Sequence, residues 1–277
     1  MAHTSETEIL FCGTAAAEAW PALFCTCEAC ARARERGGKD VRARAAYMLG
    51  DRARIDFGPD SCAQMHRFGL AYERLEHLLV THSHDDHWFP RDLTYRRKGF
   101  SVAPSEPLHV WGNAKVAGKF EATGHGWEEC GLAFHRIAPW ERIDLGGGLG
   151  ATPVLAAHDR SEECVNYVLD LAGRAALVGH DTGWYDEAAW TFLGRRPLSL
   201  AILDCTYGSM DESRGHLGSP SVVRARDELA KRGALADGAR VVATHFSHNG
   251  GWLHEELERY FAPHGIEVGY DGLRLPL

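Results

Sequence analysis

Nowhere in the 277 residues does an apolar run reach the length of a membrane span, which for a helix is about 20 residues. Met1-Ala2-His3-Thr4-Ser5-Glu6-Thr7-Glu8 has neither a basic n-region nor an apolar h-region. No secretory leader is therefore expected, and the expected location is the cytoplasm, away from membranes. Internal repeats and low-complexity tracts are also missing, which excludes an array architecture. Positive charge is in deficit: 30 Lys and Arg against 38 Asp and Glu leave −8 with histidines neutral. An acidic chain is a poor candidate for gripping long nucleic acid by charge, and bound divalent cations would offset part of the deficit. Gly146-Gly147-Gly148-Leu149-Gly150 is followed by no Lys-Ser/Thr, so it reads as a turn and not as a phosphate loop. Eight cysteines in a cytosolic chain argue against a disulfide framework.

What is present is a chain of ordinary composition, long enough for a substantial core. Short apolar segments of strand length recur at 9–11, 46–49, 54–57, 78–80, 108–111, 151–155, 165–169, 175–178, 200–203, 241–243 and 266–270. Helical patterns lie between them. One covers 221–231, with Ser219 and Pro220 as N-cap and first turn, and another covers 252–260. Helices distributed through both halves predict an α/β chain, sheets covered by helices, as a single domain over 1–277.

Thr81-His82-Ser83-His84-Asp85-Asp86-His87 directly follows the apolar run 78–80. Neutral imidazole and carboxylate are ligands for borderline divalent metals. His82 and His84 alternate by two and can point the same way, while Asp86 and His87 follow a turn and can face a second point nearby. One segment thus offers ligands for two adjacent ions. With 16 histidines in the chain an accidental pair means little, but an ordered quartet at a strand end is a metal motif. Three more polar residues directly follow apolar runs and can reach the same edge: His158 after 154–157, Asp181 shortly after 177–178, and His245 after 241–244. Basic residues cluster at 32–36, 42–44 and 96–98; such clusters are usually solvated, and 96–98 lies close enough to the motif to touch an anionic substrate. Cys25, Cys27 and Cys30 form Cys-x-Cys-x-x-Cys, one ligand short of a tetrahedral zinc site, and His248, three residues after His245, can supply the fourth. Cys12, Cys62, Cys130, Cys164 and Cys205 stand alone and are expected as buried small hydrophobes.

The order His-x-His-x-Asp-His, then His, Asp and His, resembles the metallo-β-lactamase superfamily over nearly the whole chain, including Ile55-Asp56-Phe57-Gly58. The resemblance implies an αββα sandwich of two mixed sheets flanked by helices, with the metals at one sheet edge. It also implies that His82, His84, His158 and Asp181 bind one ion and that Asp86, His87, Asp181 and His245 bind the other, Asp181 bridging. Asp56 would support the site without being a ligand. An all nitrogen and oxygen site suits zinc, manganese or iron. Two such ions activate water for hydrolysis.

Cys25 to Ala33, Thr244 to His248 and the ending Gly265 to Gly272 together resemble the phosphoribosyl 1,2-cyclic phosphate phosphodiesterases of the carbon–phosphorus lyase pathway. That resemblance implies a structural zinc held by Cys25, Cys27, Cys30 and His248, in a clip at about 20–36. It implies a small phosphorylated sugar or nucleotide as substrate, ideally 5-phosphoribosyl 1,2-cyclic phosphate opened to ribose 1,5-bisphosphate in phosphonate metabolism, and it is compatible with a homodimer. Leu203-Asp204-Cys205-Thr206 matches the strand before a loop that carries a further histidine, here His216, near the phosphate. Asp181 and His216 are then the catalytic residues, His216 protonating the leaving oxygen. The chain departs from the pattern at residues 88–98 after His87, at His180 before Asp181, and at 159–164 after His158. Rival readings are ribonuclease Z-like cleavage of tRNA precursors, for which no long Gly/Pro-rich arm is present, and lactonase or β-lactamase chemistry. A non-hydrolytic metal protein of the pyrroloquinoline quinone biosynthesis type shares the fold and a similar cysteine cluster. The complete ligand set argues for a hydrolase.

Overall fold

The apolar segments assemble into two seven-stranded sheets in a computed structural model that describes residues 7–102 and 106–277. The reading of the N-terminus as leaderless therefore falls largely on residues 1–6, outside the described residues. Strands β1 (Glu8–Gly13), β2 (Ala46–Leu49), β3 (Ala53–Ile55), β4 (His77–Leu79), β5 (Leu108–Gly112) and β6 (Leu132–Arg136) lie side by side in that order. β7 (Ile143–Asp144), β8 (Gly150–Leu155), β9 (Val165–Leu171), β10 (Arg174–Gly179), β11 (Leu198–Asp204), β12 (Leu235–Thr244) and β13 (Ile266–Val268) form the second sheet. β14 (Arg274–Pro276) returns to pair with β1. Both sheets are mixed. β1 to β3 are antiparallel and β3 to β6 parallel, while β7 to β10 are antiparallel and β10 to β13 parallel.

Apolar residues fill both faces of the strands, as sheets covered on both sides require. Ile9, Phe11 and Leu79 point between the sheets and meet Tyr167, Val178 and Ile202. Leu10, Leu78 and Val110 point outward. Among the described residues six helices cover the outer faces: α1 (Glu28–Arg36), α2 (Ser61–Phe68), α3 (Ala114–Glu121), α4 (Glu187–Leu193), α5 (Ser219–Lys231) and α6 (His254–Phe261). Val116 and Phe120 of α3 pack on the first sheet; Trp190, Leu229 and Phe261 of α4, α5 and α6 pack on the second. The layers run α/β/β/α. No helix among the described residues is long and apolar enough to cross a membrane.

Several local expectations are corrected. The N-cap of α5 is Gly218, still extended at φ −103° and ψ 171°, and Ser219 is already helical. α6 starts at His254, because Leu253 is extended and its N–H donates to the Glu256 carboxylate (2.8 Å). The strand at 54–57 stops at Ile55, since Asp56 turns to φ 62°. Cys62 is exposed on α2, where the buried positions are Ser61 and Gln64. Nor is 42–44 a solvated cluster. Arg42 is buried and donates to Thr14 (2.9 Å) and the Gly269 carbonyl (2.6 Å). The glycine run is a hairpin turn between β7 and β8, with Gly146, Gly147 and Gly148 at φ 76°, 60° and 83°, a conformation that only glycine adopts freely.

Candidate metal centre

Strand ends from both sheets deliver the polar residues to one edge of the sandwich. The 81–87 loop follows β4, His158 follows β8, Asp181 follows β10, Asp204 ends β11 and His245 follows β12. Ligand atoms of His82, His84, His158 and Asp181 all lie within 4.8 Å of one another, as do those of Asp86, His87, Asp181 and His245. Asp181 belongs to both groups. Its Oδ2 is 3.2 Å from His82 Nε2 and 3.0 Å from His87 Nε2, and its Oδ1 is 3.3 Å from His158 Nδ1. Asp86 Oδ2 is 2.9 Å from His87 Nε2, and His84 Nδ1 is 3.3 Å from His158 Nε2. Nε2 of His82, His87 and His245 and Oδ1 of Asp181 are buried with no hydrogen-bond partner among the described residues. Converging lone pairs without donors are costly in a dry interior. Divalent cations satisfy them all at once, so the donor set fits metal ions.

The outer nitrogens are held so that the inner ones face the cluster bare. His87 Nδ1–H donates to Asp56 (2.7 Å), and His82 Nδ1–H donates to the Thr81 hydroxyl (3.0 Å), which in turn donates to Asp56 (3.0 Å). The same device recurs across the site: His245 Nδ1–H donates to Thr206 (2.8 Å), whose hydroxyl donates to Asp204 (2.9 Å). Such partners fix the tautomer and ring orientation of ligand histidines. His180, unexpected before Asp181, is a third buried donor to Asp56 (2.8 Å). Burial alone would raise the Asp56 and Asp204 carboxyls. The imidazoles beside them (His87 and His180 on Asp56, His216 and His245 on Asp204) outweigh it and hold both below the usual carboxylate range. Asp56, Asp181 and His245 sit at φ 62°, 55° and 61°, a left-handed backbone that Asp and His tolerate better than most residues and that marks stored strain.

Gly58 explains itself by contact. A Cβ there would stand 1.9 Å from the Asp86 carbonyl oxygen, because 57–58 runs directly beside the metal loop, Phe57 N–H donating to the His87 carbonyl (2.8 Å). Gly58→Ala is expected to displace Asp86 and weaken metal binding about 10- to 100-fold while the protein stays folded. Metal titration alongside circular dichroism checks this, and unaltered affinity would count against it.

His216 reaches the cluster from the loop before α5, with Nδ1 3.1 Å from Asp181 and 3.5 Å from Asp204. Burial is outweighed by these two carboxylates, which push its pKa up to about 11; cations at Asp181 would take back part of that rise. His84, His158, Asp181, His216 and His245 open on a cavity of about 340 Å³. The basic cluster 96–98 is not there. Arg96 and Arg97 turn to the Gly131 and Thr94 carbonyls instead, and none of the three lines the cavity. In the variant loop after His158, Asp159 lies 3.3 Å from His84 Nε2, and Glu162 accepts from the Ser83 amide and hydroxyl.

Cys25, Cys27, Cys30 and His248 also gather within 4.8 Å. His248 Nδ1 is 3.6 Å from Cys25 Sγ and 3.4 Å from Cys27 Sγ. Tetrahedral zinc, with bonds of about 2.3 Å to sulfur and 2.0 Å to nitrogen, sets those atoms about 3.6 Å apart. The thiols fit a zinc. Among supporting residues, Thr81, Thr206 and Asp204 were not singled out from the sequence, although Asp204 ends an apolar run just as Asp181 does. Glu18, which accepts from the Ser247 hydroxyl beside His248, carried no signal at all.

Residues 52–246 match the beta-lactamase superfamily domain. No curated protein matches the chain by sequence. Among solved structures, a diphosphatase from the PhnP family superposes with a TM-score of 0.78 at 22% identity, covering 98% of this chain and 97% of that one. Zinc-bound PqqB from Methylobacterium extorquens gives 0.72 at 18%, over 98% and 100%. Human tRNase Z, short form, gives 0.60 at 16%, over 97% and 98%. At these identities the likeness is one of fold.

Proposed function

The chain belongs to the beta-lactamase superfamily, and we propose that within it the protein is a dinuclear metal-dependent phosphodiesterase of small cyclic phosphates. The observation that carries this reading is that two four-ligand groups share Asp181 and open on the same small cavity as His216. His82, His84, His158 and Asp181 would hold one ion, and Asp86, His87, Asp181 and His245 the other, as zinc, manganese or iron. When bound, the ions supply water activation near neutral pH and stabilise the charge that develops on oxygen. Asp56, directly on His87 and through Thr81 on His82, and Asp204, through Thr206 on His245, fix the tautomer and aim of the ligand imidazoles. His216 has its ring in the cavity, placed to give a proton to the departing sugar oxygen.

5-Phosphoribosyl 1,2-cyclic phosphate, opening to ribose 1,5-bisphosphate, is the specific substrate of this reading; the resemblance in the cysteine and Thr-His-Phe-Ser-His segments supports it. A turnover panel with metal-reconstituted protein tests it, comparing that compound with 2′,3′-cyclic nucleotides, bis(p-nitrophenyl) phosphate, a diphosphate ester and a lactone. Preference for the lactone would overturn the phosphodiesterase. Metal counting separates the non-hydrolytic alternative: about three ions per chain are expected, two catalytic and one in the clip, whereas a single tightly held zinc would favour a binding role.

His216→Ala is expected to slow substrates with an alkoxide leaving group about 100- to 1,000-fold. Bis(p-nitrophenyl) phosphate, whose phenolate leaves without a proton, is expected to lose far less. Equal losses in kcat on both would remove His216 as the proton donor.

A further inference from the structure

The segment that leads into the cysteine clip also forms a wall of the metal cavity. Glu18, Ser247 and Asn249 line it together with His84 and Asp181, and no Lys or Arg is among the lining side chains. The wall is tied down by backbone pairing: Ala16 N–H donates to the Phe246 carbonyl (3.0 Å), and Phe246 N–H to the Thr14 carbonyl (2.8 Å). The Ser247 hydroxyl donates to Oε1 of Glu18, and His248 Nε2 lies 3.5 Å from the same oxygen. Since His248 Nδ1 faces Cys25 and Cys27, zinc in the clip would keep the ring proton on Nε2, turned toward Glu18. Both contacts fall on Oε1. Among the described residues nothing engages Oε2, which is left for a ligand on a side chain that is 30% exposed.

We propose that Glu18 is a specificity-determining residue whose free oxygen accepts a hydrogen bond from a substrate hydroxyl. The substrate class is then a hydroxyl-bearing phosphate ester, a sugar or nucleoside cyclic phosphate, and not a bare alkyl or aryl one. This rests on the phosphodiesterase reading for the phosphorus end and adds what the other end must carry. A carboxylate would repel a second phosphate, so the hydroxyl edge of the sugar faces Glu18 and any distal phosphate points elsewhere. A half-buried carboxylate that loses its hydroxyl partner against a ligand without one forfeits a charge-assisted hydrogen bond, which is the source of the discrimination.

The test is calorimetric binding of ribose 5-phosphate and of phenyl phosphate, which has no hydroxyl, to the metal-loaded full chain. Wild type is compared with Glu18→Ala and Glu18→Gln, and clip zinc is counted in each. Both variants are expected to lose about 10- to 100-fold in affinity for ribose 5-phosphate, at least about tenfold more than for phenyl phosphate, with the clip zinc retained. Equal losses on the two ligands, loss of the clip zinc in both variants, or no wild-type preference for ribose 5-phosphate would overturn the assignment. Failure of the wild type to hydrolyse any phosphodiester would sink the phosphodiesterase reading instead, and the binding contrast would still judge Glu18.

Discussion

Asp181→Ala, refilled with zinc or manganese, is expected to turn over a cyclic phosphate at less than about 10⁻⁴ of the wild-type rate. One carboxylate is a member of both ligand groups and approaches His82, His87, His158 and His216 within 3.3 Å. Under the two-ion reading its removal would take a ligand from each ion at once, and with it the anion that offsets two closely spaced cations. Three inward nitrogens, Nε2 of His82, His87 and His245, would remain buried together, so the first ion binds more weakly and the second finds too few ligands. Metal per chain should fall from about three toward one, the clip ion remaining. The fold should survive. The Asp181 amide still has Asp204 to donate to (3.0 Å), and alanine at φ 55° costs on the order of 1–3 kcal/mol. Metal content and kcat, measured on the same sample, decide the matter. Activity retained in metal-replete protein would sink the two-ion mechanism. Asp181→Asn keeps the shape and loses the charge, and a result close to that of alanine would assign the effect to charge.

The layers and most of the strands were legible in the sequence because covered sheets need apolar residues on both faces, and such runs stand out. Ligands at strand ends were legible for the same reason: His158, Asp181 and His245 each follow an apolar run, and β8, β10 and β12, which run in the same direction in one sheet, deliver their ends to one edge. What escaped has physical reasons too. α1 to α4 have no more than nine residues each, which leaves little room for a 3.6-residue periodicity; α6, of eight, was legible because Leu257 and Phe261 recur four apart among charged residues. β7, of two residues, and β14, of three, are edge strands whose pairing is set by the neighbouring strand and not by their own composition. The supports of the site were hidden because a hydroxyl or carboxylate that orients an imidazole needs no particular sequence spacing. Thr206 reaches His245 across 39 positions; Asp56 was legible as a support through the resemblance, but its partner His180, 124 positions away, was not. The basic cluster 96–98 misled because nearness in sequence to the metal loop does not mean nearness in space; the 3₁₀ turn at Pro90–Arg96 carries it away.

Removal of the clip zinc is expected to lower the melting temperature by more than about 10 °C and to open residues 20–36 to proteases before the rest of the chain. Structural zinc in small peptides contributes about 10–16 kcal/mol apparent at neutral pH. Even about 4 kcal/mol of linkage, at roughly 2–4 °C per kcal/mol for a chain of this size, gives a shift of that order. Without zinc the segment keeps its backbone pairing of Trp20 with Arg42 and a few apolar contacts. Trp20, Cys30 and Ala33 are buried against the second sheet's outer layer, while the Arg32–Glu256 pair is partly exposed and such pairs are worth little. The thiols set the pH dependence. Burial would raise the Cys27 thiol, but the Cys30 amide and the side chains of His248, Cys25 and Cys30 outweigh it and bring it down to about 6, whereas burial pushes Cys30 up to about 11. At neutral pH Cys27 is therefore thiolate and Cys30 a thiol, so zinc must displace the Cys30 proton when it binds. A lowered pKa leaves the ligand form available above about 6, and protons compete for it as the pH falls through that value. Protons compete for Cys30 throughout the neutral range, and for Cys27 as well once the pH falls through about 6. Clip zinc and the stability it confers should therefore weaken as the pH falls, most steeply below that value. Reloading chelated protein in a weak buffer at pH 7.5 should release protons, read by a pH indicator, in step with the recovery of melting temperature. A chelated protein that melts like the holoprotein, or that takes up zinc with no proton release, would show that these four residues do not form a zinc clip.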